Sequence, residues 1–232
     1  TRREENTPAM AYVHNFGTVT KDGKDGFLMI GYDDIYSIEY MYEKRMGYWK
    51  HDGKVTIFEA FEKLRDNYQS IMERCRALDE LIYNDAEKAG GKKYAEICSA
   101  AYRQVISAHK LFTDKEGNLM WFSKENNSNG CINTVDLTYP SAPLFLVYNP
   151  DLQKAMMTSI FEYSASGRWD KPFAAHDLGT YPIANGQVYG GDMPIEESGN
   201  MVILTAAISK IEGNADYAKK YWDILTTWTN YL

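Results

Sequence analysis

The sequence predicts an all-α domain with one small β excursion. Three observations carry this. Apolar residues recur every three or four positions through several long stretches. Helix-capping residues stand where those stretches begin. Neither a GxGxxG loop nor a βαβ alternation occurs, so strand signals stay local.

Residues 1–26 are polar and turn-rich, and TKDGKDG reads as a loop or hairpin turn. They are expected to form an N-terminal extension or linker, with the domain over residues 27–232. In GFLMIGYDDIYSIEYMYEKRMGYW, residues Ile35, Ile38, Met41 and Tyr42 fit a short helix opened by Asp33 or Asp34. The clearest helix runs from Thr56 to Asn84. Thr56 and Glu59 have the spacing of a capping box. Phe58, Phe61, Leu64, Tyr68, Ile71, Met72, Cys75, Leu78 and Ile82 then form a stripe expected to be buried. Gly90-Gly91 ends that segment. A second helix is expected over residues 92–112, with Tyr94, Ile97, Ala101, Val105 and Ala108 inward.

TDKEGNLMWF reads as a β-hairpin on a Glu-Gly-Asn turn. SKENNSNG after it is nearly all turn formers. YPSAPLFLVYN reads as a short apolar helix. Asn149 caps the next one, Pro150 suits its first position and Gly167 stops it. Two further helices are expected, one over residues 195–212 and one from Asn214 to the end, the latter striped by Tyr217, Tyr221, Leu225 and Trp228. The last helix reaches Leu232 without a cap, so a domain truncated at its C-terminus is expected.

Between these helices lies HDLGTYPIANGQVYGGDMPIEESGN, residues 176–200. So long an irregular segment in a compact domain is usually functional or disordered. Leu178, Tyr181, Ile183, Val188, Tyr189 and Met193 give it apolar anchors, so an ordered loop over a helix end is expected. Glu196 and Glu197 fall in the first turn of the following helix. There the helix dipole stabilises carboxylates, which accounts for both without any function. The functional alternative makes one of them a general acid or base facing a pocket, with His176 and Asp177 closing the other side. Asp136, in NTVDLTYP, is either a cap or a buried functional carboxylate. Glu125 in SKENNSNG is a further candidate. Several acids on one mouth are what a hydrolase needs, one holding a proton while another activates water.

Other chemistries have less support. There is no GxSxG. Ser107 and Lys110 match SxxK, but Ser107 sits at a helix end where the dipole gives no help, and the match reads as chance. Cys75, Cys98 and Cys131 lack zinc or disulfide spacing and read as buried free thiols, so no metal or cofactor is expected. A net charge of −7 argues against nucleic acid as a partner. No apolar run spans a membrane, and TRREENTPAMAYVHNFG lacks the apolar core of a signal peptide. Aromatic residues make up 14% of the chain. Most of that is core, and the surplus suits a lined pocket for a polar organic ligand.

HDLGTYPIANGQVYGGDMPIEESGNM resembles the signature of the glutaminase A family of fungi and Bacteroides-type gut bacteria. GYDDIYSIEYM, AYRQVISAHKLF and FSKENNSNGCINTVDLTYPSAPLFLVYNP are similar to that family too. The resemblance implies an (α/α) six-hairpin toroid, incomplete here, in contact with other domains of a longer chain. It implies hydrolysis of L-glutamine to glutamate and ammonia, and a periplasmic or extracellular location. Within the matching blocks the catalytic candidates are Asp136, His176, Asp177, Glu196 and Glu197. A small-molecule substrate would be bound by Trp121, Glu125, Arg168, Trp169 and Tyr181. The toroid equally allows a glycoside hydrolase with a carboxylate pair. A non-catalytic ligand-binding module is the third reading.

Overall fold

A computed structural model describes residues 11–125 and 127–232. The start of the expected N-terminal extension, residues 1–10, and Asn126 in the SKENNSNG segment lie outside the described residues. The chain divides into two compact units, Thr1–Tyr32 and Asp33–Leu232.

The described part of the first unit, residues 11–32, contains no helix or strand. Its expected turn is present: the Gly23 amide donates to the Thr20 carbonyl at 3.0 Å, with φ +72° at Gly23. Lys24 Nζ donates to the Phe16 carbonyl at 2.6 Å.

The second unit is mainly helical, with eight α-helices and five short strands among the described residues. It opens on a hairpin, β1 (Ile38–Tyr40) and β2 (Glu43–Arg45). The expected helix at Asp33 is absent. The two aspartates are engaged elsewhere: Lys50 Nζ reaches Asp33 at 2.7 Å and Lys110 Nζ reaches Asp34 at 2.8 Å. β1 also pairs in parallel with β5 (Ile183–Ala184), far along the chain. That long-range ladder overrides a weak helical pattern.

Helix α1 (Ile57–Asp66) starts on the capping box, in which the Glu59 amide donates to Thr56 Oγ1 and the Thr56 amide to Glu59 Oε2. Asn67 interrupts the helix, and α2 (Tyr68–Gly90) follows as a separate element. The stripe expected to be buried is largely exposed: Phe58 is 75% exposed, and Leu64, Tyr68 and Leu78 are exposed too, while Ile82 is buried. Periodicity marks an apolar face without saying what covers it. α2 packs on α3 (Lys92–Ser107), where Ala95 is fully buried and Ile97, expected inward, is 67% exposed. α3 ends sooner than expected. The hairpin β3 (His109–Thr113) and β4 (Leu119–Ser123) takes over, turning through Asp114 and Asn118 as the sequence predicts. Of the three thiols Cys131 is buried, whereas Cys75 is exposed and Cys98 half-buried.

Five helices build the core around the candidate site. α4 (Val135–Tyr148) starts earlier than expected and accommodates Pro140 and Pro143. α5 (Pro150–Ala165) is capped by Asn149, whose side chain accepts from the Leu152 amide. α6 (Pro194–Glu212) follows the long loop. The expected last helix is two pieces, α7 (Asp216–Lys220) and α8 (Trp222–Tyr231). Its apolar stripe packs inward as expected: Trp228 and Tyr221 stack on Phe161 of α5 at 5.1 and 4.2 Å. Trp228→Ala is therefore expected to cost about 3–5 kcal/mol, read as a lower midpoint in denaturant. No helix among the described residues is long and apolar enough to cross a membrane.

Candidate functional site

Two segments far apart in the chain run side by side. The Ile132 amide donates to the Gly179 carbonyl at 2.8 Å and the Leu178 amide to the Ile132 carbonyl at 3.0 Å. The Val135 amide donates to the His176 carbonyl at 2.9 Å, and the Tyr181 amide to the Gly130 carbonyl at 3.0 Å. This ladder sets the start of α4 against the start of the long loop. Gly179 is needed there: its φ is +131°, and a Cβ would meet the Ile183 carbonyl oxygen at 2.3 Å.

Asn133 pins the first segment. It is fully buried with φ +53°, accepts from the Ser123 amide at 3.0 Å, and donates to the Met156 carbonyl and Ser159 Oγ at 2.7 and 2.8 Å. Asp136 follows in the first turn of α4. It is half-buried and is not a cap; its Oδ1 is buried without a hydrogen-bond partner.

Asp177 organises the second segment. Fully buried, it accepts from the amides of Gly179 (2.8 Å) and Val188 (3.1 Å) at Oδ1 and of Tyr189 (3.1 Å) at Oδ2. Its Oδ2 also lies 2.9 Å from His176 Nδ1. A carboxylate taking three amide donors acts as an acceptor toward the ring as well. Nδ1 therefore carries a hydrogen, and Nε2 is the ring nitrogen that faces away from Asp177. The ring is 3% exposed and stacks on Tyr189 at 4.2 Å, and the His176 amide donates to Gln187 Oε1 at 2.8 Å.

Nε2 points toward Glu197 Oε1, 3.9 Å away. Glu196 and Glu197 both lie in the first turn of α6, but about 100° apart around the axis. Glu196 faces solvent and Glu197 is fully buried. Neither carboxyl oxygen of Glu197 has a hydrogen bond of ordinary geometry, although the Asp136 amide and the Asn200 side chain approach it as donors. Burial, then the charges of Asp136 and Glu196, push its carboxyl up to about 9. The Asp136 amide and the Asn200 side chain oppose this shift, and burial wins. Donor atoms of Asp136, His176 and Glu197 all lie within 4.8 Å of one another.

The result is a buried cluster of two carboxyls and an imidazole nitrogen. Such a cluster can hold a proton, a water or a cation. Cys131 lies close by, but burial and the nearby charges of Asp177, Glu125 and Asp136 push its thiol up to about 11. It is no thiolate nucleophile at neutral pH.

The remaining candidates sit elsewhere. Trp121 is 7% exposed, stacked on His109 at 4.8 Å in a second apolar cluster with Phe145. Trp169 donates from Nε1 to the Phe173 carbonyl at 2.6 Å. Arg168 reaches Met41 Sδ and lies over the Tyr42 ring. It lines a cavity of about 420 Å³ with Tyr40, Asp114, Glu162 and Lys220. Tyr181 leans on the Ser37 carbonyl, with Lys124 over its ring. Glu125 lines a cavity of about 460 Å³ with His109, Ser128, Leu137 and Ser141. Three contributors were not among the sequence candidates: Tyr189, noted there as an apolar anchor, and Asn133 and Gln187, which carry no signal in the sequence.

The glutaminase A six helical-hairpin domain matches residues 91–232, and a domain of unknown function matches residues 1–85. The chain is 34% identical over 235 aligned residues to a protein named Glutaminase A from Aspergillus oryzae, covering 98% of this chain and 34% of that protein. It is 35% identical over 160 residues to a protein named Probable glutaminase from Arthroderma benhamiae, covering 66% of this chain and 18% of that one. The chain thus spans about a third or less of the relatives it matches. No solved structure matches.

Proposed function

Because the chain belongs to the glutaminase A family, we propose that it carries the hydrolytic site of an amidohydrolase converting L-glutamine to L-glutamate and ammonia. The observation that carries this reading is the fully buried carboxyl of Glu197 facing His176 Nε2. A group so costly to bury is kept where chemistry uses it. Water bound in the cluster attacks the side-chain carboxamide carbon. The carbon–nitrogen bond breaks, the acceptors take the water's proton, and a proton from the same cluster leaves with the nitrogen as ammonia. Asp177 positions the imidazole, and the half-buried Asp136 is the cluster's most accessible member.

A glycoside hydrolase remains the second reading because the Asp136 and Glu197 carboxyls are close enough to act as a pair. The protein with its other domains is expected to release ammonia and glutamate in equal amounts from L-glutamine, and no sugar from aryl glycosides. Glycoside cleavage without ammonia would reverse the assignment.

A further inference from the structure

We propose that Asp136, His176 and Glu197 form a mononuclear site for a divalent transition-metal cation, with Asp177 as the residue that aims the imidazole. The inference rests on reading this cluster as the place where water is activated, and it assigns the activation to the ion.

Four features point to a cation. Asp136 Oδ1 and both Glu197 oxygens are buried without a hydrogen bond of ordinary geometry, only the Asp136 amide and the Asn200 side chain approach Glu197, and His176 Nε2 lies 3.9 Å from Glu197 Oε1. A proton satisfies one pair of these atoms, whereas a cation satisfies all of them. Second, two carboxylates balance a divalent charge in a site where unbalanced charge is costly. Third, the far side of the ring is built as it is around metal-bound histidines. Nδ1 bonds a carboxylate that is itself fixed, here by three backbone amides. Fourth, the ligands come from three anchored places: the first turns of α4 and α6 and the laddered start of the loop.

The donor atoms spread to 4.8 Å. Metal–ligand bonds of about 2.0–2.2 Å need donors roughly 3–4 Å apart. The three side chains therefore draw in by about 1 Å around the ion. An imidazole among the ligands favours Zn²⁺ or Mn²⁺ over Ca²⁺ or Mg²⁺, which prefer oxygen alone. Three protein ligands leave a position for water, as in hydrolytic zinc sites.

The test is equilibrium dialysis of the full-length protein against Zn²⁺ or Mn²⁺ alone, with elemental analysis of the retained metal. The wild type is expected to hold one ion at this site. Glu197→Gln and His176→Ala should each lose tenfold or more in affinity, and Asp177→Asn about ten- to a hundredfold. Glu196→Gln, at the exposed neighbour, should bind as the wild type does. Asp136→Asn, at the half-buried edge, repeats the test should another variant fail to fold by circular dichroism. Absence of metal from the wild type, or full affinity in folded Glu197→Gln, overturns the proposal. Ammonia release that survives exhaustive chelation also overturns it while leaving the glutaminase reading intact. Metal binding without ammonia release does the reverse.

Discussion

Glu197→Gln is expected to make the metal-free protein more stable at neutral pH. In the fold the Glu197 carboxyl titrates at about 9, against an ordinary value of 4.5. In the unfolded chain it ionises freely. The sign follows from proton binding: above pH 4.5 the unfolded state binds fewer protons at this position, so stability falls as pH rises. The loss accumulates up to the folded value and then levels off. At pH 7 it amounts to about 3 kcal/mol, at 1.36 kcal/mol for each pH unit above the unfolded value. Glutamine keeps the shape and removes the charge. The variant should match the wild type near pH 4 and outlast it increasingly toward pH 8, in urea denaturation with a chelator present. A wild type equally stable at every pH would mean that Glu197 is solvated, and the site as described would not exist.

Asp177→Ala should do the opposite. The substitution strips the Gly179, Val188 and Tyr189 amides of their acceptor and frees the imidazole. A buried amide left unpaired costs about 1–3 kcal/mol. Three of them, partly rehydrated, should cost upwards of 3 kcal/mol in total. The damage should be local to the loop. Hydrogen exchange should speed at residues 178–189 before the α5–α8 core opens. Uniform exchange throughout the domain would show that the loop is held by something other than Asp177.

The parts of this fold legible in the sequence are those settled by neighbours in the chain. The Thr56–Glu59 box, the Asn149–Pro150 start and the β3–β4 turn are local arrangements, and each is found where expected. The helix expected at Asp33 failed because β1 takes its partner, β5, from the distant loop. The stripe on α1 and α2 shows the other limit: a helical period identifies an apolar face, but not its cover. The candidate site divides the same way. Its acids and histidine were visible as residue types; the ladder between residues 130–135 and 176–181 brings Asp136 to His176, and the first turn of α6 adds Glu197. Adjacent glutamates are indistinguishable in sequence; the turn of α6 sends one outward and one in. Of the three amides that Asp177 accepts, only that of Gly179 is local; those of Val188 and Tyr189 reach it once the loop has closed.

The central claim is that the inward glutamate, not its neighbour, belongs to the chemistry. The direct measurement is kcat/KM for ammonia release from L-glutamine by the full-length protein carrying Glu197→Gln or Glu196→Gln. Loss of a group that handles the proton or the activated water should cost Glu197→Gln a factor of about 10²–10⁴, with Glu196→Gln within a few-fold of the wild type. Full activity in Glu197→Gln, or the larger loss in Glu196→Gln, would contradict the account.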